Sequence, residues 1–274
     1  MVIVSTIHRA HYKNPKYSPY TLKQIILSLR PAAILNELPL SQVDPNGRPL
    51  FRDRRQHAEG WAADAVATQL HIRQIPFDRP DREENFRRTG YFERERRWRA
   101  AINKWCEQVE KQDPNSVDLE TARLWLRDAD QALAHLTLNA APEIINSETN
   151  DSLVTIKHSI WYDIFPHILA KYRGYEILID DCRYFRDQWY ERNRSMADNI
   201  IKACKDYPGK LVVVITGCYH RYILRDLLSK EESIDLKEYW EIIDAEPVKR
   251  QNNAPNAEKS QEQAAQDPLE GLSK

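Results

Sequence analysis

Two histidines three residues apart, His8 and His11, follow directly on an apolar run at residues 2–7. A second strand-like run, residues 211–215, leads into Thr-Gly-Cys-Tyr-His, which ends at His220. Glu37 stands just behind the apolar stretch 32–35, and Asp78 just behind 72–77. Imidazoles and carboxylates that recur at the ends of strand-like runs suit two chemistries. They can hold a borderline metal such as Zn²⁺, Mn²⁺ or Co²⁺, with His8, His11, Glu37 and His220 as ligands. They can also pass protons to and from water as general bases. A lone histidine after a strand is ordinarily a hydrogen-bonded structural residue, so the weight rests on the recurrence. The H-x-x-H pair is not H-E-x-x-H and follows a strand, so it is no zincin signature.

Two further residues compete between chemistry and structure. Arg192 falls in the middle of an apolar stripe formed by Phe185, Trp189, Met196, Ile200 and Ala203 at about 100° per residue. A guanidinium on a core-facing stripe must find anions, because a buried unpaired charge is costly. It either pairs with a core carboxylate or clamps an anion or oxyanion near Glu37 and the histidines, with Asn193 and Asn199 beside it. Cys218 lies two residues before His220 and invites a Cys–His nucleophile, but a small buried hydrophobe is the commoner role.

Stepping out from these residues, strands are expected at 2–7, 32–35, 72–77 and 211–215, with a weaker one at 176–179 and an edge strand at 240–243. Helical patterns lie between them at 20–29, 55–70, 152–172, 184–207 and 222–228. Strand alternating with helix predicts an α/β fold, a mostly parallel central sheet flanked by helices. Ligands of such sheets bind at the carboxyl ends of the strands, where His8, Glu37, Asp78, Asp180, Asp181 and His220 would then lie. With only seven glycines and no G-x-G-x-x-G or G-x-x-x-x-G-K, a dinucleotide or phosphate loop is argued against.

Residues 83–140 break the alternation and read as an inserted helical cap within a single domain of 1–247. Seven arginines between Arg82 and Arg99 are interleaved with four glutamates, a pattern better met by intrahelical ion pairs than by a nucleic-acid patch. Trp98, Trp105 and Trp125 are expected to be hairpin core rather than base-stacking platforms. Residues 248–274 lack aromatics and read as a disordered tail.

Lys+Arg number 40 against Asp+Glu 41, so no global charge argues for a nucleic-acid or membrane partner. The four cysteines form no C-x-x-C, which argues against a disulfide framework and a cysteine zinc site. With no signal peptide and no run of transmembrane length, a cytoplasmic protein is expected.

In order and strand context, four short motifs resemble the TraB/Tiki group of the wider erythromycin-esterase/ChaN-like superfamily. Its G-x-x-H after the first strand is matched by Ser5-Thr6-Ile7-His8, with serine in place of glycine. Its glutamate after the second strand is matched by Glu37 in the run from Arg30-Pro31. Its helical "RN…MA" is matched by Arg192-Asn193-Arg194-Ser195-Met196-Ala197, and its second G-x-x-H by Gly217-Cys218-Tyr219-His220. The match covers roughly 1–230 apart from the insertion, and His11 lies outside it. The resemblance implies an α/β fold whose four motif residues converge in one pocket. Members are described as metal-dependent peptidases, as esterases and as haem-binding proteins.

The reading that follows is a hydrolase with catalytic residues His8, Glu37, Arg192 and His220, acting on a small-molecule or peptide substrate. A divalent metal on His8, His11, Glu37 and His220 would activate water, or a histidine oriented by Glu37 would do so without one. The competing readings are a non-catalytic protein that holds haem or another anionic ligand, and a partner-binding module that uses the arginine-rich insertion.

Overall fold

Val2–Thr6, Ala33–Asn36, Arg73–Pro76 and Val212–Gly217 are the strands β1 to β4 of a computed structural model that describes residues 1–50, 57–124 and 129–245. They form one all-parallel sheet in the order β1-β4-β2-β3. Every residue of β1, β2 and β4 is buried, as expected of a parallel sheet covered on both faces. The α/β class expected from the alternation is the class observed.

The helices are α1 (Pro19–Leu29), α2 (Ala58–Leu70), α3 (Arg82–Thr89), α4 (Tyr91–Gln112), α5 (Val117–Arg123), α6 (Asp130–Asn139), α7 (Pro142–Ile145), α8 (Glu148–Ser159), α9 (Phe165–Leu169), α10 (Glu176–Cys204), α11 (Cys218–Leu228) and α12 (Tyr239–Ala245). Side chains alternate across the sheet with period two. Val2, Val4, Ile34, Val213 and Ile215 face Leu22, Ile25 and Ile26 of α1 and Ala62, Ala63 and Val66 of α2. Ile3, Ala33, Leu35, Val212 and Val214 face Met196, Ala197 and Ile200 of α10 and Leu224 and Leu228 of α11. The ends of α1 follow local rules. Ser18 caps it by accepting from the Thr21 N–H at 3.1 Å, and Arg30 closes it at a left-handed φ of 46° just before Pro31.

The expected insertion shares a second core with residues 161–185. Trp98, Ile102, Trp105 and Val109 recur along one side of α4 and pack on Trp161, Phe165, Leu178, Cys182 and Phe185. The Trp98 and Trp161 ring centres lie 4.5 Å apart, and those of Trp105 and Phe165 5.4 Å apart. These two tryptophans are therefore core, not stacking platforms, while Trp125 lies outside the described residues. The tail expected at 248–274 also lies outside them. No described helix is long and apolar enough to cross a membrane.

Two expected strands are helical instead. Residues 176–179 form the first turn of α10, because Leu178 turns inward, with Ile179 half-buried beside it, and continues a helical stripe with Cys182 and Phe185. Asp180 is consequently exposed, and buried Asp181 receives Arg94 and Arg97 at 3.0 and 2.8 Å, remote from any strand end. Residues 240–243 lie in α12, with Tyr239, Ile242 and Ile243 packed on the sheet's α1/α2 side. The place beside β1 is taken by a single parallel bridge between Val2 and Lys237.

Candidate active site at the carboxyl edge of the sheet

In the parallel register, Thr6 lies opposite Gly217 and Asn36 opposite Ile215. The residues that leave β1, β2 and β4 are thus neighbours, and Asp78 leaves β3 at the same edge. Glu37 is tied to that edge by three donors. Its Oε2 accepts from the Thr216 hydroxyl at 2.8 Å and the Gly217 N–H at 2.7 Å, and its Oε1 accepts from Arg192 Nη2 at 2.7 Å. Burial opposes the charge on Glu37, but the Arg192 guanidinium and the Gly217 N–H outweigh it and hold the carboxyl below its usual range.

Arg192 spends every nitrogen on this cluster. Nε and Nη2 form a bidentate pair with Asp78, both at 2.9 Å, and Nη1 lies 3.2 Å from His220 Nε2. Asp78, whose side chain is fully buried, also accepts from Arg82 at 2.6 Å and the Arg79 N–H at 2.8 Å. His220 Nδ1 donates to Asn193 Oδ1 at 2.7 Å, and Asn193 is itself oriented by donating to the Trp189 carbonyl at 2.8 Å. This leaves the His220 Nε2 lone pair to accept from Arg192. Burial, followed by the guanidinium charge, pushes His220 down to about 3. Its ring stacks on Trp189 at 4.3 Å. His220 is thus a neutral acceptor at ordinary pH, held in one tautomer.

His8 behaves differently. It opens the 3₁₀ turn His8–Tyr12 at a φ of 48°, a left-handed conformation that non-glycine residues rarely adopt. Its Nδ1 lies 2.6 Å from Glu59 Oε1 on the first turn of α2. Glu59 Oε2 is buried without a hydrogen-bond partner, so its charge falls mainly on the imidazole. Burial works against a charged His8, but the Glu59 hydrogen bond and charge overcome it and raise the imidazole to about 9. Protein atoms crowd the ring, yet 59% of its side-chain surface is open. The open surface governs the strength of the pair, because water reaches the ring and screens it. His8 Nε2 reaches toward Gly217, where an added Cβ would lie only 2.6 Å from it. Glycine at 217 is therefore a matter of space rather than backbone torsion.

A cavity of about 150 Å³ opens between His8 and the first turn of α11, bounded by Ile7, Thr137, Trp189 and residues 217–220. No side chain caps that helix start. Its first-turn N–H groups have no intrahelical acceptor and can hold a developing oxyanion. Burial pushes the Cys218 thiol up to about 12, so it offers no thiolate and the Cys–His nucleophile is not supported.

The structure thus brings His8, Glu37, Arg192 and His220 together at one edge and adds Asp78, while His11 stays apart. His11 accepts the Ile7 N–H at Nε2 (3.1 Å) and donates Nδ1 to the Tyr17 carbonyl (2.7 Å), which commits both ring nitrogens to the backbone. Asn199 donates to the Phe77 carbonyl at 3.1 Å and secures the end of β3 instead of sharing a clamp. The expected metal set of His8, His11, Glu37 and His220 does not fit a divalent ion. Among the described residues no three His, Cys, Asp or Glu side chains are grouped to hold one. Where an ion would bridge Glu37 and His220, the Arg192 guanidinium already supplies the positive charge. Sequence reasoning missed Glu59, which lies 51 residues from His8 and carries no motif of its own.

Comparison of the chain with protein-family models, with curated proteins and with solved structures finds no match.

Proposed function

We propose that this protein is a hydrolase of small esters or amides in which His8, held by Glu59, is the general base. The observation that carries the reading is the His8–Glu59 pair with Nε2 turned toward a cavity lined by an uncapped helix start. The carboxylate fixes the tautomer and supports the imidazolium that forms, the role an acid plays beside a catalytic histidine. His8 Nε2 takes a proton from water as the water oxygen bonds to the acyl carbon. The first-turn N–H groups of α11 receive the carbonyl oxygen as it gains charge. When the tetrahedral intermediate collapses, the same proton passes from Nε2 to the leaving oxygen or nitrogen.

Glu37, Arg192, Asp78 and His220 serve this site as its frame, since Glu37 fastens Thr216 and Gly217 and so sets the turn into α11. The meeting of all four motif residues supports the resemblance to the TraB/Tiki group. The hydrogen bonds that already engage both oxygens of Glu37 and both ring nitrogens of His220 support a metal-free version of that chemistry. A cavity of about 150 Å³ falls below the ~300–1,000 Å³ usual for drug-sized ligands, which favours a small acyl group over haem.

The test is a hydrolysis screen of the purified chain with p-nitrophenyl acetate, p-nitrophenyl butyrate and short peptide anilides, each with and without EDTA. Turnover that EDTA changes less than about twofold and that His8→Ala removes supports the reading. Turnover that EDTA abolishes and added Zn²⁺ or Mn²⁺ restores overturns the metal-free mechanism. Equal rates for parent and His8→Ala overturn the base.

A further inference from the structure

The cavity beside His8 has a wet end and a dry end. At the wet end stand the open imidazole of His8 and the uncapped first turn of α11. Behind them the walls include Ile7, Trp189 and Cys218, whose thiol stays neutral. Among the described residues no carboxylate, lysine or arginine lines the cavity. The polar side chains that do line it are engaged elsewhere. Thr137 donates to the Leu133 carbonyl at 2.7 Å, and the two nitrogens of His220 are taken by Arg192 and Asn193. The Tyr219 ring is covered by Lys157, whose Nζ lies 4.9 Å from the ring centre and is paired with Asp130. A hydroxyl or ion carried to the dry end would lose its water and gain no partner.

The dry end is also fixed in size. Trp189 Nε1 donates to the Tyr222 hydroxyl at 3.3 Å, and the indole stacks on His220 at 4.3 Å. The buried His158 ring lies 4.6 Å from the indole, and its Nδ1 is 3.0 Å from the same Tyr222 hydroxyl. Held on several sides, Trp189 has no room to swing aside for a longer chain. An apolar cavity of about 150 Å³ holds a molecule the size of benzene, about six heavy atoms. A four-carbon acyl group, with its carbonyl oxygen and the atom it leaves, has the same count.

We propose that the cavity selects a short apolar acyl chain, of about two to four carbons, and that Trp189 sets the length. This rests on the reading of His8 as the base, which puts the acyl carbon between Nε2 and the helix start. The chain then runs inward toward Ile7 and Trp189, and the leaving group points out past the open side of His8.

Primary amides test the chain apart from turnover. Acetamide, butyramide, hexanamide and 3-hydroxypropanamide are titrated into the full chain at about pH 6, where His8 is charged and hydrolysis stalls, and binding is read from the ¹⁵N signals of the His8 ring. A buried methylene is worth roughly fourfold in affinity, so butyramide is expected to bind about 15-fold tighter than acetamide. Hexanamide is expected to bind at least about tenfold weaker than butyramide. So is 3-hydroxypropanamide, which puts a hydroxyl where butyramide has its terminal methyl. Trp189→Leu and, at a second wall position, Ile7→Ala each bring hexanamide within about threefold of butyramide. Amides that obey this order without any ester turnover keep the pocket and remove the base. Hexanamide or 3-hydroxypropanamide binding the parent as tightly as butyramide overturns the proposal, and so does the absence of a butyramide shift up to about 100 mM.

Discussion

His8→Asn lowers kcat/KM for the hydrolysed ester by about 10²–10⁴-fold and leaves the melting temperature within a few degrees of the parent. Asparagine is chosen because the backbone at this position is left-handed, at a φ of 48°. Asparagine tolerates that conformation better than most residues, and its amide can still donate to Glu59. The variant thus removes only the base. The pH dependence has a definite sign. His8 must be neutral to accept a proton, and Glu59 raises its pKa, so the rate climbs with pH and levels as the imidazole deprotonates near 9. In Glu59→Gln the supporting charge is gone, and the rise moves down toward the ordinary 6.5. A pH–rate profile of the parent and the two variants checks both statements. An unchanged midpoint in Glu59→Gln contradicts the pairing.

Arg192→Leu is expected to destabilise the fold by about 3–5 kcal/mol, a large share of the ~5–15 kcal/mol typical of a domain. The guanidinium is buried among three acceptors, Asp78, Glu37 and His220. Removing it leaves the fully buried Asp78 carboxylate with Arg82 as its one paired cation beside the Arg79 N–H, and leaves Glu37 Oε1 without its 2.7 Å partner. Adding Asp78→Asn and Glu37→Gln to Arg192→Leu recovers part of the loss, because the stranded charges go with it. Arg192→Lys keeps a charge but not the fork that meets Asp78 twice, and falls between parent and leucine. Urea denaturation of the set measures this. A loss below about 1 kcal/mol in Arg192→Leu contradicts the view of the cluster as the frame of the edge.

The sheet and its edge were legible in the sequence because strand-end chemistry is a local signal. His8, Glu37 and His220 each stand within a few residues of a buried apolar run, Asp78 follows the partly buried β3, and parallel topology does the rest. Arg192 was legible as a charge on an apolar stripe, which left its partner open between a core carboxylate and an oxyanion; both its carboxylates are in fact protein groups. The roles were less legible than the positions. His8 and His220 look alike in the sequence, yet one has 59% of its side-chain surface open and the other 6%. That difference comes from Trp189, Asn193 and Glu59, residues distant in the chain. His11 illustrates the same point: its spacing from His8 suggests a ligand pair, but a 3₁₀ turn sends its ring inward to the Ile7 and Tyr17 backbone. The two misread strands were short apolar runs, for which period alone does not separate strand from helix.

The most direct test separates the two imidazoles. ¹⁵N NMR of the histidine rings, assigned with His8→Asn and His220→Gln, reports protonation and tautomer at each site across pH. His8 is expected to hold its second proton well above 6.5, toward about 9, and His220 to remain a neutral Nδ1–H ring down toward about 3. A His220 that titrates near 6.5, or a His8 that has lost its charge below it, would contradict the assignment of base and frame.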